Sequence, residues 1–286
     1  MKDVHIAAVR AVFSWACGQG KMEANPAEKV KVTVPVKPKL RSKGFTDDEA
    51  RKILSAALAL PSRLTTPEHA AARRWVPWLC AYTGARVNEI TQLRRKDVLE
   101  GTLVREEEGR QVEKTYYFIR ITPEAGSQKN HTFREVPLHD HLIEQGFIDF
   151  VKRCEQEPLF YSTRRQKKGV TGYNPTYARV GQSIAVWVRG LGIDHPDVRP
   201  NHAWRHRFKT IGRRCGMDSA KLDAIQGHAQ ADEGGSYGGF PWDSLKSEID
   251  KHPRYEVVAA ETTDRRKTRH SKDRASNPSP EAPDNT

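Results

Sequence analysis

The stretch from Arg199 to Gly239 contains a series of polar side chains whose order could support chemistry on an anion. His202 and Arg205 lie one turn apart in a segment whose apolar residues recur at helical spacing, so we expect both on one amphipathic helix. Asn201 is expected to cap this helix, and Gly216 to end it. A helix N-terminus with a neighbouring arginine attracts anions, so this end of the helix is a candidate anion site.

The same stretch continues with a second histidine and a tyrosine. We expect Ser219 to cap a short helix that ends at Gly227, which places His228 just past a helix end. The loop that follows is rich in small and polar residues, and it carries one aromatic hydroxyl, Tyr237. A phenolic oxygen in such a loop could act as a nucleophile.

A phosphodiester is an anion that fits these residue types. Its displacement spreads charge over non-bridging oxygens that two guanidiniums can hold, while a nucleophile and an acid serve the attacking and leaving oxygens. The candidates are Arg86 and Arg205 as clamps, Tyr237 as nucleophile, Lys129 as acid for the leaving oxygen, and His202 and His228 as donors or proton shuttles. A phosphotyrosyl ester keeps the bond energy, so a free DNA hydroxyl can reseal the strand. We expect neither metal nor cofactor, because cations already neutralise the phosphate.

Composition favours a polyanionic partner. The 286 residues include 48 lysines and arginines against 36 acidic residues, a formal net charge of +12, which favours nucleic acid over a membrane. The sequence has no run of eighteen apolar residues and begins without a signal-peptide pattern, so neither a membrane span nor secretion is expected. Four scattered cysteines without a Cys-x-x-Cys pair indicate a reducing compartment and argue against a zinc knuckle.

The chain divides into four predicted parts. Residues 1–25 contain one helix that ends near Gly18 and cannot bury its own apolar face. Residues 26–43 read as an extended, basic, proline-containing linker. Residues 44–258 carry the periodic apolar pattern of a folded domain. Residues 259–286 have the composition of a disordered tail.

Within the long domain, the pattern is mostly helical with a short interruption of strands. Thr46 and Glu49 form a predicted capping box, Pro77 predicts a kink or a helix start, and a further helix is expected near Ala85. Strand-like alternation then appears, and the segments expected to form strands are 102–105, 115–121 and 134–138. We therefore predict a mainly α fold with one small antiparallel β-sheet, with Lys129 in its last hairpin.

These motifs together resemble the tyrosine recombinase, or phage integrase, family over about residues 45–254. The matching motifs are Thr83 to Ile90 with Arg86 and Glu89, Lys129 followed by Arg134 to Leu138, His202 to His206 with Arg205, Gly227 with His228, and Tyr237. The order and the spacing both match. Each motif alone is a weak signal. An Arg–Glu pair is usually a structural salt bridge, and a lysine in a polar turn usually has no catalytic role.

The resemblance implies a site-specific recombinase that cuts and rejoins DNA through a covalent 3′-phosphotyrosyl intermediate. Arg86 and Arg205 would clamp the phosphate, Lys129 would protonate the leaving group, His202 and His228 would support, and Tyr237 would attack. Glu89 would hold the first arginine in place. The implied partners are double-stranded DNA and further copies of the chain, with a tetramer in the synapse, in a cytoplasmic, bacterial nucleoid-associated protein.

Two departures from the family pattern leave alternatives open. Gly234 stands where a threonine is usual, and Gly238 and Gly239 follow Tyr237 where helix-favouring residues are common. The first part also corresponds to only the final helix of the core-binding domain that the family normally carries, so the chain could be a fragment. The alternatives are a DNA-binding module that has lost cutting, and a strand-swivelling enzyme of the type IB topoisomerase kind.

The segment Trp242–Ile249 after the tyrosine is expected to form a short helix with Leu245 and Ile249 on one apolar face. In the resembling family, the corresponding segment packs onto a neighbouring protomer. The alternative is that this helix packs on its own domain.

Overall fold

The computed structural model describes residues 2–31, 38, 40–61, 65–107, 110–126, 133–155, 157–163, 175–228 and 239–259. The chain divides into two compact units, Met1–Arg41 and Ser42–Thr286. Two predicted site residues, Lys129 and Tyr237, lie outside the described residues, as do residues 260–286 of the predicted tail.

The first unit is helix α1 (Lys2–Gly18) with a short loop folded on it. The Arg10 guanidinium donates to the carbonyl of Ala27 at 2.9 Å, and the Asn25 amide donates to Ser14 Oγ at 2.8 Å. The prediction of an extended linker from residue 26 is therefore wrong for its first residues, because these side-chain bonds hold turns against α1.

The second unit is mainly helical. Its helices are α2 (Asp47–Leu58), α3 (Pro67–Thr83), α4 (Val87–Thr91), α5 (Asp140–Glu144), α6 (Phe147–Arg153), α7 (Thr176–Gly190), α8 (Pro200–Arg214), α9 (Ser219–Gln226) and α10 (Trp242–Ile249). None of the helices in the described part of the chain combines the length and the apolar character that crossing a membrane requires.

A three-stranded antiparallel sheet lies between the helices in sequence. Its strands are β1 (Val98–Glu107), β2 (Arg110–Ile121) and β3 (Arg134–Pro137), in the order β1-β2-β3. Ile119 of β2 pairs with Val98 on one side and with Val136 on the other. Helices with one small antiparallel sheet confirm the predicted fold class.

Helix α3 is the centre of the core. Its residues from Trp75 to Thr83 are all buried, which is the pattern of a helix surrounded by protein on every side. Pro77 lies inside this helix, so it does not start a new one. Gly84 ends α3 with a left-handed φ of 59°, a conformation that glycine adopts without a steric penalty.

The helix ends agree only in part with the sequence expectations. The capping box of Thr46 and Glu49 is present, with both reciprocal hydrogen bonds. The predicted cap Asn201 is wrong, because α8 begins at Pro200, whose missing N–H suits the first helical position. Asp218, rather than Ser219, caps α9. The end of α9 at Gly227, with a φ of 67°, is confirmed.

Helix α10 packs on the sheet of its own unit. The Trp242 ring stacks on Phe118 and meets Tyr116 edge-on, with ring centroids 5.9 and 5.6 Å apart. Lys246 is almost fully buried and pairs with Asp140 at 2.9 Å. In this single chain the helix therefore takes the alternative position, on its own domain.

Candidate active site

Glu89, in the first turn of α4, organises the site. Its carboxylate accepts a hydrogen bond from Arg86 Nη1 at 2.7 Å and from the Arg86 backbone N–H at 2.9 Å. Arg134 Nη2 donates to the second carboxylate oxygen at 2.6 Å. Only 5% of Glu89 is exposed, so one buried carboxylate fixes two guanidiniums.

The protonation state of Glu89 follows from these contacts. Burial raises the pKa of the carboxyl, but the charge and hydrogen bonds of Arg134, together with those of Arg86, outweigh it and bring the pKa below its ordinary value. The group is therefore a carboxylate at neutral pH. Removing such a buried charge from its partners typically costs about 3–5 kcal/mol.

Arg134 also links the sheet to the end of α9. Its Nε donates to the carbonyl of Ile225 at 3.1 Å. The guanidinium passes directly beside Gly227, where a Cβ would lie only 2.7 Å from the guanidinium carbon. A side chain at Gly227 would therefore displace Arg134 from Glu89.

Arg205, on the second turn of α8, lies near these charged groups. Its Nη1 donates to the carbonyls of Gly84 at 3.0 Å and Gln226 at 2.5 Å. Its Nη2 is buried and has no hydrogen-bond partner among the described residues. Burial, followed by the nearby positive charge of Arg86, lowers the pKa of Arg205 to about 10, so the guanidinium is still charged at neutral pH.

Two histidines lie beside these arginines. Burial lowers the pKa of His202, and the charges of Arg199, Arg86 and Arg205 lower it further. Burial also lowers the pKa of His228, and its hydrogen bond to Asp223 opposes that shift. Both rings favour the neutral form, in which an imidazole can donate one hydrogen bond and accept another.

His228 is held from behind by a carboxylate. Its Nδ1 lies 2.7 Å from Asp223 Oδ1, and Lys209 of α8 pairs with the same oxygen at 2.6 Å. This contact fixes the orientation of the imidazole and leaves Nε2 as the ring nitrogen that can face a substrate.

The structure thus gathers most of the predicted site residues. Those it brings to one place are Arg86, Glu89, His202, Arg205 and His228. Lys129 and Tyr237 are not described, so their position in the site stays a prediction. Arg134, which is in the site, lies five residues after Lys129, a separation that an extended chain spans in at most about 18 Å.

Sequence reasoning missed three contributors to this geometry. The sequence indicated Arg134 only as part of a motif, although its guanidinium donates to one of the two Glu89 carboxylate oxygens. Gln226 is fully buried and donates from its amide to the backbone carbonyl of Arg205 at 2.8 Å. Asp223 lies five residues before His228, a spacing that signals no contact on a regular helix. The signal that could have found Gln226 and Asp223 is their place in the helix that ends at Gly227, directly before His228.

The arrangement is suited to hold an anion. Three guanidiniums converge around one carboxylate, so an excess of positive charge remains beside two neutral imidazoles. A buried donor without a partner is uncommon in folded proteins and costs about 1–3 kcal/mol unless something occupies it. An oxygen of an anionic ligand would satisfy Arg205 Nη2 and neutralise the excess charge.

No protein-family model matches the chain, and no curated protein matches it in sequence. Solved structures do match. The integrase from mycobacterium phage Brujita is 16% identical, with the match covering 92% of this chain and 74% of that one at a TM-score of 0.48.

Two further matches have similar scores. The XerH site-specific recombinase, bound to its difH substrate in a pre-cleavage complex, is 20% identical over 84% of this chain and 58% of that one, with a TM-score of 0.47. A lambda integrase dimer bound to a COC′ core site is 17% identical over 90% of this chain and 61% of that one, with a TM-score of 0.48. The chain thus spans about three fifths of the length of these two proteins. All three matched structures are phage integrases or related recombinases, the tyrosine recombinase family that the sequence motifs resemble.

Proposed function

We propose that the chain is a site-specific DNA recombinase that cuts and rejoins DNA through a covalent 3′-phosphotyrosyl intermediate. The observation that carries this proposal is the approach of two guanidiniums: Arg86 is held by the buried Glu89 carboxylate, and Arg205 beside it has a buried Nη2 without a hydrogen-bond partner among the described residues. A phosphodiester offers two non-bridging oxygens to such a pair.

The proposed reaction is a transesterification at phosphorus. The Tyr237 oxygen forms a bond to phosphorus and passes its proton to a neutral imidazole of the site, while the bond from phosphorus to the 5′ oxygen breaks and that oxygen takes a proton from Lys129. His228, oriented by Asp223, and His202 are placed to donate a hydrogen bond or to move a proton as neutral rings. The reverse reaction, with a different 5′ hydroxyl as attacker, reseals the strand. The step needs no metal or cofactor, because the arginines compensate the developing charge.

The roles of Glu89 and Arg134 are those of positioning groups. Glu89 holds Arg86 by two hydrogen bonds and prevents the guanidinium from rotating away from the phosphate. Arg134 compensates the second oxygen of that carboxylate, so Glu89 does not cancel the charge of the clamp.

The proposed partner is double-stranded DNA, with several copies of the chain assembled on it. The chain has 48 lysines and arginines against 36 acidic residues, and this excess of positive charge supports a polyanionic partner. Exchange of strands between two sites requires four cleaving subunits, so we propose a tetramer in the synapse. We also propose that residues 44–258 form the catalytic domain, that residues 1–25 belong to an N-terminal DNA-binding domain, and that the protein acts at the bacterial nucleoid.

A suicide-substrate assay tests this function. A nicked duplex releases a short fragment after cleavage, so the covalent protein–DNA adduct accumulates and migrates slowly on a denaturing gel. We expect the adduct with the unchanged chain and none with Tyr237→Phe, whose binding to the same duplex should be normal. Tyr255→Phe, which alters a buried tyrosine hydroxyl outside the site, is the matched control and should still form the adduct.

The outcomes separate the alternatives. An adduct that persists in Tyr237→Phe would place the nucleophile elsewhere. DNA binding without any adduct in the unchanged chain would identify a binding module that does not cut. If the chain forms the adduct and also relaxes supercoiled DNA, but does not join two sites, it is a topoisomerase.

A further inference from the structure

A cavity of 370 Å³ opens beside His202 of α8. Its lining residues are Lys43, Pro196, Asp197, Arg199, His202 and His206. Four of these side chains are cationic or can become so, against one acid among the residues that line the cavity. Such a balance suits a ligand with a negative charge.

The basic side chains come from one stripe of α8. Arg199 is the residue before the helix, and His202 and His206 follow it one and two turns later on the same face. Partial burial and the charge of Lys43, followed by those of His202, Arg205 and His228, lower the pKa of His206, although the residue is exposed. The neighbours that act on this ring are therefore mostly of one charge sign, and an anion in the cavity would relieve their repulsion.

The backbone next to Lys43 is fixed against α8. The next residue, Gly44, lies so close to α8 that an added Cβ would be 3.0 Å from the backbone nitrogen of Arg207. Arg207 donates to the carbonyl of Phe45 at 3.1 Å and pairs with Asp47 at 2.8 Å. The segment that carries Lys43 is thus fastened beside His206.

The opposite wall is also fixed. Arg189 of α7 donates from Nη1 to the carbonyls of Ile193 at 2.9 Å and His195 at 3.1 Å, and from Nη2 to the carbonyl of Val198. The Arg189 guanidinium therefore holds the loop that supplies Pro196 and Asp197. A cavity with two fastened walls can select the position of a ligand.

We propose that this cavity is a second phosphodiester subsite, in which Lys43, Arg199 and His206 hold the DNA phosphate next to the one clamped by Arg86 and Arg205. The proposal rests on the proposed function for the identity of the ligand. His202 lies in both linings, so the two subsites adjoin along the strand. Holding a second phosphate would fix the direction of the strand as well as the position of the scissile bond.

The test is the salt dependence of DNA binding. The logarithm of the binding constant falls with the logarithm of salt concentration by about 0.9 for each phosphate contact on duplex DNA. We would measure fluorescence anisotropy with a labelled duplex in a Tyr237→Phe background, where no covalent adduct can contribute. The double variant Lys43→Gln, His206→Asn should lower the slope by about 0.9 relative to the background protein.

The matched control is Lys152→Gln, an exposed lysine on α6 that undergoes the same charge change. It should leave the slope unchanged. An equal slope in the double variant and the background would overturn the proposal, and so would an equal loss in Lys152→Gln, which would show a general charge effect. Urea unfolding of each variant checks that the fold is retained.

A second arm separates DNA from a free anion. Inorganic phosphate is titrated against the protein while the His206 ring signals are followed by NMR. Ring shifts with free phosphate, combined with an unchanged DNA slope in the double variant, would assign the cavity to a small anion and overturn the DNA subsite. Failure of the adduct assay alone would refute the proposed chemistry and leave the slope result intact.

Discussion

Two groups of histidines in the second unit show how one residue type serves two purposes. His139 and His252 lie in a buried cluster with Tyr82 and Tyr255, whereas His202, His206 and His228 lie along α8 and after α9. In the buried cluster the rings stack on aromatic neighbours: Tyr82 and His139 are 4.3 Å apart, with an angle of 18° between them. His202 and His206 instead lie beside arginines and a lysine, and His228 is bonded to Asp223.

Both groups have pKa values below the ordinary range, and they differ in the causes that add to burial. Burial is the main cause in each case, and it lowers the pKa of His252 to about 4. For His202, three arginines add to it, and such like-charge repulsion can be relieved by a ligand. A lowered pKa alone therefore does not mark a functional histidine, whereas a lowered pKa beside uncompensated cations does.

The largest expected effect is the loss of DNA cleavage when an arginine of the candidate site is removed. Arg86→Ala should reduce adduct formation by roughly 10²- to 10³-fold, the effect of removing a preorganised charge donor. The fold should survive, because Arg134 still pairs with Glu89 at 2.6 Å. Single-turnover cleavage of the nicked duplex measures the rate.

Arg51→Ala is the control for that substitution, since Arg51 is exposed on α2 and pairs with Asp48, three residues before it. It should leave the cleavage rate unchanged. A rate for Arg86→Ala within a factor of three of the unchanged chain would remove Arg86 from the clamp.

The second effect is the pH dependence of stability in the buried cluster. The unfolded chain binds a proton at His252 with an ordinary pKa of 6.5, whereas the folded chain does so only near 4. Stability is therefore fully present above pH 6.5 and is lost as the pH falls towards 4, by roughly 2 kcal/mol at pH 5. Urea unfolding at pH 7 and pH 5 measures the loss.

His252→Gln removes the titrating group and should weaken this pH dependence, although the variant is less stable at pH 7. The site histidine variant His206→Asn is the comparison and should keep the part of the pH dependence that comes from His252. Equal pH dependence in all three proteins would show that His252 is not the group responsible.

The third effect concerns the hydroxyl at the centre of the buried cluster. Tyr82 Oη accepts from the backbone N–H of Tyr255 at 3.1 Å and lies 2.7 Å from His141 Nδ1. Tyr82→Phe would leave that N–H without its partner inside the protein, which should lower the free energy of unfolding by about 1.5 kcal/mol. Adduct formation per folded molecule should not change, and a loss of more than tenfold would connect this cluster to the site.

The sequence predicted much of the fold and part of the site, for reasons visible in single residues. Local signals succeeded: Thr46 and Glu49 form their capping box, and Gly227 ends α9. Order and spacing of motifs predicted Arg86 and Arg205 as site residues, and the structure brings their side chains near each other. Contacts between distant segments gave no local signal, so the pairing of Arg134 with Glu89, 45 residues apart, was missed.

Helix starts failed where two residues competed for one role. Asn201 and Ser219 are both good caps by type, yet Arg199 and Asp218 take the positions. In the first case Pro200 fixes the backbone for the first helical residue, and in the second the Asp218 carboxylate accepts from the Lys221 backbone N–H at 2.9 Å. Residue type alone does not decide between Asp218 and Ser219, because both are suitable caps.

The smallest expected effect completes the comparison of the two histidine groups. His206→Asn removes an exposed ring whose side chain lines an open cavity, so little packing is lost. The free energy of unfolding should change by no more than about 0.5 kcal/mol at pH 7, as for most surface substitutions. His139→Asn instead removes a ring that is 4% exposed, stacks on Tyr82, and has Nε2 only 3.0 Å from the His252 carbonyl. Urea unfolding of the two variants should therefore differ by more than 1 kcal/mol, since the second loses buried contacts and a hydrogen bond. Equal stabilities would mean that the His206 ring contributes to stability as much as the buried His139 ring does. His206 would then be a structural residue rather than one available to bind a phosphate.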